Sequence, residues 1–400
     1  MKILQINGVY QNGSTGKIVY DIHRGIIAIG DESIVCYGAG AKSAESGVYK
    51  FNYKILAKIN ALTSRLTGVM YGGCFIATKK LISIIKREKP DVVHVHCING
   101  HVVNIYKIIE YLKKSKIKTV LTLHAELMHT ANCGHAYECE KWKTGCGNCP
   151  RNKSVTSSWF FDNTHKSWLK MKKAFEGFEN LTVVSVSPWL MDRAKQSPIL
   201  EGKNHTVVLN GLDTSVFNIK DTTSLKEKLS LKNEKIIFHA TPRFNNNPND
   251  LKGGYYILKL AEKLENENVK ILVAGGYDES IEIPENVIML GRVSNQEDLA
   301  KYYSLADLTV IASKRETFSM VVAESMCCGT PVVGFYAGGP EQIAIKEYSD
   351  FVEYANVDAL YEASINMLNK ESNKKEISAK AVDVYAKERM VRGYLEIYNK

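Results

Sequence analysis

The chain has 400 residues, 45% hydrophobic and 24% charged with only 9 Pro, too many for one ordinary core and suited to two domains of roughly 150–200 residues. That composition excludes a long disordered tail, and no apolar run approaches the ~20 residues that a membrane span needs. The formal net charge of +9, from 52 basic and 43 acidic residues, favours anionic partners such as phosphate, nucleic acid or lipid head groups.

The opening stretch MKILQINGVYQNGSTGK is too short and too interrupted in its apolar part for a signal peptide, so a cytoplasmic chain is expected. Strand-like runs then recur in chain order: KILQI (2–6), SIVCY (33–37), DVVHVHC (91–97), KTVLTL (118–123), TVVSV (182–186) and TVVL (206–209). After them come KIIFHA (235–240), VKILVAG (269–275), VIML (287–290), LTVIA (308–312) and PVVGF (331–335). Helix-period stretches separate them, among them KKLISIIKREK, VNIYKIIEYLKK, GGYYILKLAEKLE and QEDLAKYYSLA. Nearly continuous apolar strands alternating with helices indicate α/β architecture with parallel sheets covered on both faces.

The pattern restarts after the polar stretch NIKDTTSLKEKLSLKNEK. Two doubly wound, Rossmann-like domains are therefore expected, residues 1–217 and 218–382, facing each other across a cleft. The final helix, 383–400, has an apolar face that could pack back on the first domain. In open α/β sheets ligands bind beyond the C-terminal ends of the strands, so post-strand loops are where functional residues should lie.

One such loop opens RETFSMVVAESMCCGTPVVG (315–334). Its periodicity predicts a helix over TFSMVVAESMCC that ends at Gly329. The N–H groups of Thr317, Phe318, Ser319 and Met320 would then suit a phosphate. Glu316 lies just before this helix and Glu324 on it, and two acids beside a phosphate site suit the hydroxyls of a sugar nucleotide. A cap at Glu316 and a solvated Glu324 is the plainer reading of the pair alone. The loop ATPRFNNNPNDLKGG adds Arg243 and, at the next helix start, Lys252; two cations there could neutralise a diphosphate.

Together these segments resemble glycosyltransferase family 4, a group of retaining enzymes with the GT-B fold. The likeness rests on the E-x7-E spacing of Glu316 and Glu324, on PRF…LKGG, and on VVLNGLDTSVF (207–217), in that family's order along nearly the whole chain. By this resemblance Glu316 would contact hydroxyls of the donor sugar and Glu324 the ribose. Arg243 and Lys252 would hold the diphosphate, and the loop GRVSNQEDL (291–299), with Arg292, would lie near the base. Gly16, in NGVYQNGSTGKIV, would approach the donor phosphates. His124, at the end of TVLTLH, would stand near the transferred sugar. Many relatives follow that histidine with Asp; here Ala125 and Glu126 follow it, which leaves the role of the acid open. His96 could face the cleft while His94 is structural.

The resemblance implies transfer of a sugar from a nucleotide-diphosphate sugar to a glycan acceptor, without a catalytic metal. It also points to bacterial surface polysaccharides (capsule, exopolysaccharide or O-antigen) and a polyprenyl-diphosphate-linked acceptor. A nucleotide-sugar epimerase or a glycogen-synthase-like enzyme would share the fold. A nucleic-acid-binding module is disfavoured, because no RNA or DNA motif accompanies the basic residues. A dinucleotide oxidoreductase is disfavoured because the G-x-G-x-x-G fingerprint is missing.

Two further segments stand apart. HTANCGHAYECEKWKTGCGNCP places Cys133, Cys139, Cys146 and Cys149 at C-x5-C-x6-C-x2-C spacing. Four thiolates would suit a structural zinc; reduced free thiols and disulfides are the other readings. Residues 46–87 contain no acid, while Lys50, Lys54, Lys58, Arg65, Lys79, Lys80, Lys86 and Arg87 are basic. Apolar residues interleave with them, and a helix over Lys50–Thr67 would present a basic amphipathic surface. Peripheral attachment to the inner face of the cell membrane is the sharper expectation, a solvated basic face the plainer one.

Overall fold

The computed structural model describes all 400 residues, which divide into two compact units. The first comprises Met1–Leu209 with Met390–Lys400, and the second Asn210–Arg389. The polar stretch 218–235 lies inside the second unit, where Lys220 N–H donates to Ser304 Oγ at 3.0 Å.

In the first unit the strands are β1 (Lys2–Asn7), β2 (Glu32–Tyr37), β3 (Val48–Lys50), β4 (Val92–Val95), β5 (Lys118–Leu123), β6 (Leu181–Ser185) and β7 (Asn204–Val207). They form one parallel sheet in the order β3-β2-β1-β4-β5-β6-β7. β1, β4 and β5 read as mostly apolar runs because helices bury both of their faces, with Gln5, His94 and Thr122 among the buried polar exceptions. The last helix, Lys387–Asn399, carries Met390, Val391, Tyr394, Ile397 and Tyr398 into this unit's core beside Ile3, Val92 and Val120.

The second unit holds β8 (Lys235–Arg243), β9 (Val269–Gly276), β10 (Val287–Gly291), β11 (Leu308–Ile311), β12 (Val332–Phe335) and β13 (Ser349–Val352). They form a second parallel sheet, in the order β10-β9-β8-β11-β12-β13. Its core joins Ile237, Ile271, Val273, Leu308, Val310, Val333 and Phe335 to the helices Gly254–Lys263 and Val357–Asn369. In each sheet the order reverses beside the unit's first strand, between β1 and β4 and between β8 and β11. Such a reversal splays the loops apart and leaves a crevice at the strands' C-terminal ends.

Two strands, β3 and β13, lie outside the runs read as strands from the sequence. The helix expected over 317–328 is shorter, Met320–Cys327. Thr317–Ser319 form a turn instead, with Ser319 at φ 85°. The helix expected over Lys50–Thr67 starts at Lys54, because Val48–Lys50 pairs with β2.

Candidate functional site

In the second unit the residues singled out by sequence sit at the switch point. Arg243 ends β8 and is exposed, opposite Gly276 at the end of β9. Lys252 follows in the next loop, where its N–H donates to Asp250 Oδ1 at 2.8 Å. Gly253 then starts the helix Gly254–Lys263 at φ 71°. A Cβ there would stand 2.1 Å from the Ala312 carbonyl oxygen, so only glycine lets the two loops approach this closely. Lys314 N–H donates to Leu251 O at 2.8 Å and joins the same loops.

Glu316 lies beyond β11, and Lys252 Nζ forms an ion pair with its Oε1. Ser313 Oγ donates to that oxygen as well, at 3.0 Å. The lysine side chain is 33% exposed and the glutamate 18%, so the pair is only partly screened by water. Glu316 is held in place through its backbone: its N–H donates to Ala337 O at 3.0 Å, and Gly339 N–H donates to its carbonyl at 2.9 Å. Gly339 packs so tightly that an added Cβ would meet the Thr317 carbonyl at 2.5 Å.

Phe318 is buried and stands edge-on to Tyr385 with ring centroids 6.5 Å apart, so its side chain is core and only its backbone can serve a ligand. Ser319 precedes the first turn of the helix Met320–Cys327. Glu324, on that helix, accepts a hydrogen bond from Tyr303 OH at 3.0 Å. Burial and the adjacent carboxylate push the Tyr303 hydroxyl far above its ordinary range, so it stays a donor. Arg292 is exposed in the loop after β10, on the same edge of the sheet. Ser313 and Tyr303 escaped the sequence reading, since a lone hydroxyl carries no periodic or spacing signal.

The first unit's switch point is different in kind. His124, directly after β5, places Nε2 3.2 Å from His96 Nδ1, and His96 Nε2 is 3.2 Å from Gln5 Oε1. Gln5 donates its amide to Val19 O at 3.3 Å, which turns its oxygen toward His96. His96 Nε2 therefore carries the proton, and a neutral His96 accepts at Nδ1 from His124 Nε2–H. Burial lowers His124 to about 4 and holds His96 well below its ordinary value, so both rings are neutral near pH 7. His94 is fully buried and structural: it bonds Tyr398 OH at 2.6 Å and Thr122 Oγ1 at 2.7 Å. Gly16 is buried in the first turn of the helix Gly13–Ala28, its carbonyl accepting from Gln11 N–H at 3.1 Å.

Glu126 is fully buried and bonded to other partners. Its Oε1 accepts from Arg193 Nε at 2.6 Å and its Oε2 from Ala136 N–H at 2.7 Å. Burial alone would raise this carboxyl, but His129, Arg193 and the Ala136 amide outweigh it and bring it to about 2. The acid after His124 thus anchors the cysteine-rich insertion. There Cys133 packs with Ala136 and Trp142, and Arg151 donates to its sulfur at 3.7 Å. Cys146 Sγ instead meets Thr130 O at 3.8 Å. All nine cysteines are free, and no three His, Cys, Asp or Glu side chains are placed to hold a metal ion. Cys146 packs against the same cluster as Cys133, and burial, with the nearby Cys146, Cys149 and Cys139 adding to it, pushes the Cys133 thiol up.

Comparison with known proteins gives these groups a context. Residues 221–384 match the family model described as "Glycosyl transferases group 1". N-acetyl-alpha-D-glucosaminyl L-malate synthase of Bacillus anthracis is 23% identical over 335 residues, covering 80% of this chain and 77% of its own length. The putative colanic acid biosynthesis glycosyl transferase WcaC of Escherichia coli K12 is 21% identical over 100% of this chain and 99% of its own. Anabaena Alr3699/HepE, solved in complex with UDP-glucose, superimposes with a TM-score of 0.64 at 16% identity, covering 100% of this chain and 99% of its own.

Proposed function

We propose that this glycosyltransferase of GT-B fold moves a sugar from a nucleotide-diphosphate sugar to a glycan acceptor in bacterial surface polysaccharide biosynthesis. The observation that carries the reading is the Lys252–Glu316 pair at the second unit's switch point, with Arg243 on the neighbouring strand end. The relatives' names and the UDP-glucose bound by the Anabaena protein support it.

Lys252 and Arg243 take the diphosphate, and the amides of Phe318, Ser319 and Met320 add partial positive charge at the helix start. Glu316 then exchanges its lysine contact for hydroxyls of the sugar, and Glu324 accepts from the ribose. The acceptor oxygen forms a bond to the anomeric carbon as the bond to the diphosphate oxygen breaks. The acceptor's proton passes to the departing phosphate, on the same face, with retention of configuration. Cations already in place stabilise the charge that grows on the leaving group. Neutral His124, its Nε2–H directed at His96, stands beside the transferred sugar and adds no competing cation. The first unit receives the acceptor, a lipid-linked glycan presented at the inner face of the cell membrane.

A transfer assay with labelled UDP- and GDP-sugars and a lipid extract as acceptor tests this. A labelled, chloroform-soluble glycan is expected with the wild type and is lost in Lys252→Ala. Release of free sugar without any lipid-linked product, or an isomerised nucleotide sugar, would overturn it.

A further inference from the structure

We propose that the segment Trp159-Phe160-Phe161 and the outer face of the Lys54–Thr67 helix form one surface that inserts into an anionic bilayer. The inference deepens the membrane part of the function proposed above and names the element that enters the lipid.

The helix has 14 residues, of which only Ser64 is buried. Ile55, Ile59, Leu62 and Leu66 recur at intervals of four, three and four, so they line one stripe. That stripe faces outward, at 68%, 54%, 47% and 42% exposure. A helix ordinarily turns such a stripe into its core. This one has Lys54, Lys58 and Arg65 exposed alongside.

The aromatic segment lies about ninety residues further along the chain yet is bonded to the end of this helix. Trp159 N–H donates to Arg65 O at 2.9 Å, Ser158 Oγ to the same carbonyl at 3.4 Å, and Asn163 Nδ2 to Thr67 O at 2.6 Å. These donors satisfy carbonyls that a helix C-terminus otherwise leaves open. At the junction Gly68 adopts φ 66°, and a Cβ there would stand 2.4 Å from Phe161 O. The join is thus tight, while Trp159, Phe160 and Phe161 point outward at 54%, 70% and 57% exposure. Contiguous exposed apolar surface of this kind marks an interaction site.

Charge selects the occupant. No acid occurs between Ser46 and Arg87, and Lys153, Lys166 and Lys170 are exposed on the other side of the aromatic segment. The nearest acid, Asp162, is occupied by the N–H of Cys149 at 2.6 Å and of Thr164 at 3.0 Å. Aromatic and aliphatic side chains ringed by lysines match the interface of an anionic membrane. At about 21 Å the helix is shorter than a bilayer's hydrocarbon core, so it would lie in the interface.

The test uses the full chain with vesicles of phosphatidylglycerol and phosphatidylcholine, some with brominated acyl chains. Trp142 and Trp168 are buried and Trp189 is half-buried, so in a Trp189→Phe background Trp159 should dominate any lipid-induced change in tryptophan emission. Flotation with phosphatidylglycerol vesicles, a blue shift and quenching by bromine are expected, with little binding to pure phosphatidylcholine. Phe160→Ser/Phe161→Ser should weaken binding by about tenfold or more, and Lys54→Glu/Lys58→Glu/Arg65→Glu should abolish it. Both variants alter exposed side chains and should keep the wild-type melting curve. Absent flotation, flotation unchanged in both variants, or self-association through this face without vesicle binding would each overturn the proposal. Nucleotide-sugar binding is measured separately, so its failure would leave the vesicle result standing and strike only the proposed transfer.

Discussion

The two units share one winding and line its reversal with opposite kinds of group. Counted from each unit's first strand, both sheets run 3-2-1-4-5-6, with a seventh strand added in the first. At the second unit's reversal stand charged groups, Lys252 against Glu316 and Arg243 nearby. At the first unit's reversal a neutral chain, Gln5–His96–His124, occupies the corresponding place. The fold supplies an open edge in both cases; the side chains decide whether that edge is charged or neutral.

The sharpest way to break this contrast is to remove the charge. Lys252→Ala should lower kcat/KM by ~10³, as loss of a donor aimed at developing charge does, and leave the melting temperature near wild type. Steady-state kinetics with a calorimetric scan would check it. Next in size is Glu126→Gln, which leaves the Arg193 guanidinium without its buried partner and should cost ~3 kcal/mol in urea unfolding. Glu126 titrates at about 2 in the fold against an ordinary value of 4.5. Its contribution is therefore complete above about 4.5 and fades as pH falls toward 2, so the gap between variant and wild type should narrow over that range.

On the neutral side, Gln5→Leu removes the oxygen that sets the proton on His96. A roughly tenfold lower kcat with an unchanged donor KM is expected, because only the orientation of His124 is disturbed. The same histidines make acid sensitivity measurable. His124 sits near 4 against an ordinary 6.5, so the unfolded chain binds protons that the folded one refuses. Stability should fall as pH drops from about 6.5 toward 4, and less steeply in His124→Gln. The smallest effect belongs to Tyr303→Phe, about 1 kcal/mol of stability through the lost bond to Glu324.

The winding was legible because buried parallel strands such as KIIFHA and VKILVAG leave an apolar signature that survives without partners. Val48–Lys50 and Ser349–Val352 left none: one has three residues, and the other, SDFV, carries an acid. The E-x7-E pair could be read because its spacing is local. The start of its helix could not, since TFSMVV keeps a helical period while in the fold Gly339 packs against the Thr317 carbonyl and Ser319 adopts a φ of 85°. Gln5, His96 and His124 lie in or just after three strands that become neighbours only in the sheet, and no spacing along the chain announces them.

The account rests on a diphosphate held by Lys252 and Arg243, and titration calorimetry with UDP and GDP examines that without any acceptor or lipid. One of the two should bind the wild type, and Arg243→Ala/Lys252→Ala should weaken that binding at least about a hundredfold. Equal affinity in the double variant, or a wild type that binds neither nucleotide, would contradict it.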